Sequence, residues 1–120
     1  MKFKVIDRNN VKILRTEENG FFLDGEEAAL DLIGNAGANG TTKILILPEN
    51  LCHEFFDLKT RIAGGILQKF ANYSITAAFV ISIDNKTGRF GELVNETDDY
   101  STQFRFFYDE KEAINWLVTG

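Results

Sequence analysis

The sequence predicts an α/β domain on a mostly parallel sheet, and three observations carry that prediction. Two apolar runs, Lys43-Ile44-Leu45-Ile46-Leu47 and Ile75 to Ser82 around Ala77–Ile81, lack polar alternation, as strands covered on both faces do. Around them lie segments whose apolar residues recur at helical spacing. Ahead of these, two short alternating segments flank Asp7-Arg8-Asn9-Asn10, an Asn-rich turn that signals an antiparallel hairpin.

In chain order, Phe3 and Val5, then Val11 and Ile13, form the N-terminal hairpin. Asp24-Gly25-Glu26-Glu27 fits a helix start, with Asp24 as the capping acceptor and Glu27 reaching back. Ala28, Ala29, Leu32, Ile33 and Ala36 continue that helix, and Gly34, Gly37 and Gly40 loosen and end it. Pro48 stops the first buried strand. Leu58, Ile62, Ile66 and Phe70 then step by four, widened by Ala63 and Leu67, into a second helix facing the sheet. Phe90, Leu93 and Val94 indicate a short third helix, and Phe104, Phe106 and Phe107 a last strand ended by Asp109. Asp109 and Glu112 repeat the capping pattern before Ala113, Ile114, Leu117 and Val118. The order is β-β-α-β-α-β-α-β-α. Strands and helices alternating in this way require parallel pairing through right-handed crossovers. No repeat or linker divides the chain, so residues 1–120 read as a single domain.

Composition narrows the function classes. A chain of 120 residues, 44% hydrophobic, can bury a core without metal or disulfide staples, and the lone Cys52 excludes an internal disulfide. Thirteen Lys and Arg against 18 Asp and Glu, a net charge of −5, argue against nucleic acid, which needs a concentrated positive surface. The N-terminal residues lack the apolar core of a signal peptide, and no stretch approaches the roughly 18 apolar residues of a membrane span. The expectation is a cytoplasmic protein without membrane contact. On that reading the sequons at Asn72, Asn85 and Asn95 are coincidental.

Two stretches carry a resemblance. Residues 55–73, Phe-Phe-Asp-Leu-Lys-Thr-Arg-Ile-Ala-Gly-Gly-Ile-Leu-Gln-Lys-Phe-Ala-Asn-Tyr, look like the signature block of domain of unknown function 4180, a bacterial family of about this length. Arg61 and Gly65 depart from that family's pattern, which has a small residue at the first position and an acidic one at the second. Residues 104–117, Phe-Arg-Phe-Phe-Tyr-Asp-Glu-Lys-Glu-Ala-Ile-Asn-Trp-Leu, are similar to the closing strand and helix of anti-sigma-factor-antagonist-like (STAS-like) domains, which share the element order above. The resemblance implies a STAS-like fold. In the antagonists a Ser or Thr beside an Asp opens the helix after the third strand, and its phosphorylation switches partner binding. Asp57 and Thr60 lie near that place, although the compact Asp-Ser-Ser/Thr-Gly motif is absent.

Candidate chemistry clusters after the two buried strands. In open parallel sheets ligands bind beyond the strand C-termini where strand order reverses, which points to the loops Pro48–Asp57 and Ser82–Arg89. His53 and Glu54 on one side, and Asp84 and Arg89 on the other, would line a crevice for a small-molecule sensor or enzyme. Glu49, Asn50, Asp57, Asn85, Lys86 and Thr87 add to the polar mixture there. No nucleophile motif surrounds Cys52-His53, and one His with one Cys falls short of zinc-site spacing, so neither a catalytic residue nor a metal or other cofactor is assigned.

The second helix offers the stronger surface. Gly65 falls with Arg61, Gln68, Lys69 and Asn72 on its outward face, a bare backbone patch that permits close approach of another helix, while Gly64 reads as a tolerated glycine or as close packing on the sheet. Thr60, flanked by Lys59 and Arg61 near the helix start, suits a phosphate acceptor, although most threonines at such a place are simply capping or first-turn residues. Of the pair Phe55-Phe56, one ring is exposed for protein contact or both plug the core. The expected function is protein binding, to an unidentified partner or a second copy, with Asp57, Lys59, Thr60, Arg61 and Gly65 as the contact surface. A small-molecule sensor or enzyme using the crevice is the alternative.

Overall fold

The computed structural model describes residues 3–17, 21–82, 90–94 and 103–119. Strand β1 (Phe3–Arg8) turns back into β2 (Val11–Thr16), followed by helix α1 (Glu26–Ala38), strand β3 (Lys43–Ile46), helix α2 (Ile62–Asn72) and strand β4 (Thr76–Val80). Helical residues 90–94 form α3, and β5 (Phe104–Phe107) leads into α4 (Glu110–Thr119). Between β3 and α2 the chain makes three 3₁₀ turns, Pro48–Asn50, His53–Phe56 and Leu58–Thr60.

The strands form one 5-stranded sheet in the order β1-β2-β3-β4-β5. β1 and β2 pair antiparallel across a tight turn in which Asn9 and Asn10 have φ of 53° and 65°. Those left-handed values suit a type I′ turn, and Asn tolerates them. The other pairings are parallel, with Ile44 beside Ala77 and Ile46 beside Phe79 between the two buried ribbons. Because each crossover advances the sheet in the same direction, crossovers of one hand place their helices on one face. Leu14, Ile44, Ile46, Ala77, Phe79 and Phe106 accordingly pack against α1, α2 and α3. Ile13, Leu45, Ala78 and Val80, alternating with them, pack against Ala113 and Leu117 of α4 on the far face. No reversal of strand order occurs among the described strands, so the crevice expected at such a reversal has no topological switch point to form it.

Helix α4 is fastened to the sheet near each of its ends. Arg15 donates to both Glu110 oxygens, Nε at 2.8 Å and Nη2 at 3.3 Å, and Lys43 Nζ donates to the carbonyl of Leu117 in the last turns, where a cation complements the helix dipole. α1 and α2 both end in Schellman motifs. Gly40 (φ 73°) sends its N–H to Gly37 while Thr41 N–H reaches Ala36; Ser74 (φ 55°) sends its N–H to Ala71 while Ile75 N–H reaches Phe70.

Two helix starts differ from the sequence expectation. Gly25, not Asp24, precedes the first turn of α1, and no side chain caps it. Leu23 N–H is held by the Asn50 carbonyl at 2.7 Å, in a bridge that sets Leu23 beside Leu51, and this leaves Asp24 one residue too early to cap. α2 starts at Ile62 rather than Leu58 because Leu58–Thr60 winds as a 3₁₀ turn and Arg61 then takes a left-handed conformation, φ 63°.

At the C-terminal end of β2 and just past that of β3, two fully buried polar side chains, Thr16 and Asn50, hold the connecting segments. The Thr16 hydroxyl donates to Asn50 Oδ1 at 2.5 Å and accepts from Leu47 N–H at 3.1 Å. The two hydrogens of the Asn50 amide go to the carbonyls of Glu17 and Phe21, at 2.7 and 2.8 Å. Asn50, one of the loop polar groups available for ligand recognition on the sequence reading, is consumed as an internal tie. Asn50→Ala takes the acceptor from the buried Thr16 hydroxyl and the amide donor from two carbonyls, and is expected to cost about 2–4 kcal/mol in urea unfolding. Ser74→Gly, which removes the left-handed penalty, is expected to gain about 0.5–1 kcal/mol in the same measurement.

Candidate functional site

The segment between β3 and α2 is held down by aromatic packing. Phe55 is fully buried, with ring centroids 5.4 Å from Phe56, 5.6 Å from Phe79 and 5.8 Å from Phe90. Phe90 also meets Phe56 at 5.0 Å and Phe106 at 5.5 Å, so the cluster joins the loop, α3 and the sheet. Both rings of the Phe55-Phe56 pair therefore plug the core, the second of them half-buried. Exposed aromatics lie elsewhere, foremost among the described residues Phe22, 65% exposed, beside the bridge of Leu23 to Leu51.

After this plug the chain is shaped by short polar ties. Asp57 Oδ1 accepts from Lys59 N–H at 3.1 Å. The Thr60 hydroxyl points back to the carbonyls of Glu54 and Asp57, each at 2.8 Å, and accepts weakly from Ile62 N–H at 3.3 Å. In this arrangement Thr60 fastens the turn that starts α2, the capping role of its two expected readings. Arg61 follows in its left-handed conformation, which a glycine adopts without cost and a side chain does not.

The turn opens onto a hollow of about 470 Å³ lined by Leu58, Leu67 and Leu93, by the backbone of Gly64 and Gly65, and by Arg61 and Glu26. Of the two glycines it is Gly65 that is packed closely, while Gly64 is a tolerated glycine rather than one packed on the sheet. Gly64 is exposed, and a Cβ on it would meet nothing within 4 Å. Gly65 is half-buried under the Glu26 side chain of α1, whose Cγ and Oε2 lie 3.1 Å from where a Cβ would stand. The close approach that Gly65 permits is thus taken by α1 of the same chain, and the open backbone belongs to Gly64. Glu26 is steadied by Lys69 at 3.6 Å, an exposed pair of small energetic value.

Of the expected contact residues, the hollow gathers Arg61 and Gly65, while Asp57, Lys59 and Thr60 lie on the exposed turn leading into it. A family model for Domain of unknown function (DUF4180) matches residues 8–117. The chain belongs to DUF4180. The match spans both faces of the sheet, from the last residue of β1 into α4. Compared with curated proteins and with solved structures, this DUF4180 chain matches none.

Only half of the alternative site falls within the described residues. His53 and Glu54 are exposed on a 3₁₀ turn, and Asp84 and Arg89 lie outside the described residues. Cys52 is half-buried, its Sγ 3.8 Å from the Leu23 carbonyl. Among the described residues no group of three or more His, Cys, Asp or Glu could hold a metal ion, and no helix is long and apolar enough to cross a membrane. Leu58 and Leu67 were legible only as parts of a core stripe; their second role arises because α2 starts late and leaves their edges over the hollow. Glu26 carried no sequence signal toward α2.

Two substitutions test this geometry. Gly64→Ala adds a methyl group to open space and is expected to stabilise by about 0.5–1 kcal/mol, whereas Gly65→Ala must displace Glu26 and gains less than Gly64→Ala in paired urea titrations. Thr60→Ala is expected to cost about 1 kcal/mol by the same method.

Proposed function

We propose that this DUF4180 domain is a STAS-like binding module that works through contact with a protein partner at the hollow over Gly64. The observation that carries the reading is the composition of that hollow: three leucines and a bare helix backbone form its walls, with Arg61 and Glu26 as opposite charges on its margin. Apolar walls exclude water from an inserted aliphatic or aromatic side chain, and flanking charges orient the group that carries it. Asp57, Lys59 and Thr60 extend the surface as a polar border. Supporting the STAS-like reading are the order of strands and helices along the chain and a helix after the third strand that opens just past Asp57 and Thr60.

A photoreactive amino acid at Gly64, with exposed Gly37 of α1 as the control position, tests this in the native host. The expected outcome is a discrete cross-linked protein from position 64, absent from 37, reduced about tenfold by Arg61→Glu in the same chain. Equal labelling from both positions, or none from 64, overturns the reading. A rise in melting temperature with nucleotides, acyl compounds or small acids, without cross-linking, would favour a small-molecule sensor instead.

A further inference from the structure

A second surface, independent of the hollow, is the outer edge of β1. Among the described residues β1 pairs only with β2. The two-residue turn makes Arg8 and Val11 a hydrogen-bonded pair, and the register then alternates so that Ile6 and Lys4 also bond inward to Ile13 and Arg15. Phe3, Val5 and Asp7 therefore turn their N–H and C=O groups outward. The Asp7 carbonyl already accepts a side-chain bond from Arg8 Nη1 at 3.1 Å, as an outward carbonyl would.

The two faces of this edge differ in chemistry. On the α4 side, Lys4 and Arg8 flank half-buried Ile6. On the α1 side, Phe3 and Val5 form the wall of a groove of about 900 Å³, which Lys4 also borders at the strand edge and which is bounded opposite by Glu17, Asp31, Asn35 and Asn39. Val5 remains 38% exposed. An open strand edge recognises extended backbone, and alternate side-chain positions supply specificity.

We infer that β1 receives an extended segment of a partner protein as an added strand, acidic on the side facing Lys4 and Arg8 and apolar on the side facing the groove. The acidic margin of the groove, Glu17 and Asp31, repels carboxylates there, so only one of the two faces of such a segment can be acidic. A second copy of this chain fits poorly. Two-fold antiparallel pairing requires each residue to face one of the same parity, since facing side chains share a side of the sheet. Centred on residue 4, the pairing sets Lys4 against the copy's Lys4. Centred on 5, it sets Lys4 diagonally between the copy's Lys4 and Arg8. Centres at 6 and 7 oppose Lys4 to Arg8 and Asp7 to Asp7.

The probe is a capped heptapeptide alternating Glu and Val, with a Lys-Val counterpart, titrated into the ¹⁵N-labelled full chain at low salt. The Glu-Val peptide is expected to shift the amides of Phe3–Arg8 and to bind at least about tenfold tighter than the Lys-Val peptide, weakening as salt is added. Val5→Pro deletes an outward N–H without removing a bond to β2 and is expected to abolish binding with the fold retained. Should that variant not fold, the double substitution Lys4→Glu with Arg8→Glu supplies the second test, expected to reverse the preference toward the Lys-Val peptide. Equal binding of both peptides, binding of neither, shifts confined to other elements, or dimerisation through β1 at high concentration would each overturn the inference. Failure here leaves the Gly64 hollow untouched, because the two surfaces share no lining residue.

Discussion

The buried contact between Thr16 and Asn50 is the constraint from which the rest of the upper half of the molecule follows. β2 and β3 pair over a short parallel stretch, Leu14 with Ile44 and Arg15 with Leu45, and past it the backbone has no ladder to join. A buried backbone without partners is costly, so the polar side chains at the strand ends supply what the ladder does not. Asn50 takes on carbonyls from the segment after β2 while its own carbonyl receives Leu23 N–H. That bond positions the residues leading into α1, and through them Glu26, which lies across Gly65. A single amide thus links the ends of the sheet to the shape of the hollow some fifteen residues further along.

A second constraint works from the apolar side. The loop after β3 is long and contains no strand, yet it cannot drift, because Phe55 is inserted among Phe79, Phe90 and Phe56. Edge-to-face ring packing adds to the area those side chains bury. With Phe55 anchored, the Thr60 hydroxyl and the left-handed Arg61 decide where helix can resume. The delay leaves Leu58 outside α2 and beside the open backbone of Gly64, the reason a hollow exists there at all.

Much of the architecture was legible in the residues, and what was not has identifiable physical causes. Unbroken runs such as Ile44–Leu47 and Ala77–Ile81 can be satisfied only by cover on both faces, so parallel strands between helix layers followed directly. Asn9-Asn10 announced its turn by residue type alone. Helix starts were read less well, because Asp24 and Leu58 obey local rules that a long-range bond from Leu23 to Asn50 and a 3₁₀ turn override. The strand order, and with it the lack of a switch point, depends on which neighbour each strand selects, information no local window contains. Gly64 and Gly65 show the same limit at finer scale. Periodicity placed them on a helix, but only the position of Glu26 on another element separates the covered one from the open one.

The arrangement of α4 has a consequence for how the protein is made. One face of the sheet is clothed by helices that lie between the strands in sequence, so each arrives as its neighbours emerge. The other face, with Ile13, Leu45, Ala78 and Val80, is sealed among the described residues by α4, which follows every described strand. During synthesis that apolar surface stays uncovered until residues 110–119 have left the ribosome. Arg15 and Lys43, placed early in the chain, then serve as waiting anchors for the last helix. A nascent chain stalled before α4 would present a naked greasy sheet, and chaperone capture of such a stalled product follows from the topology alone.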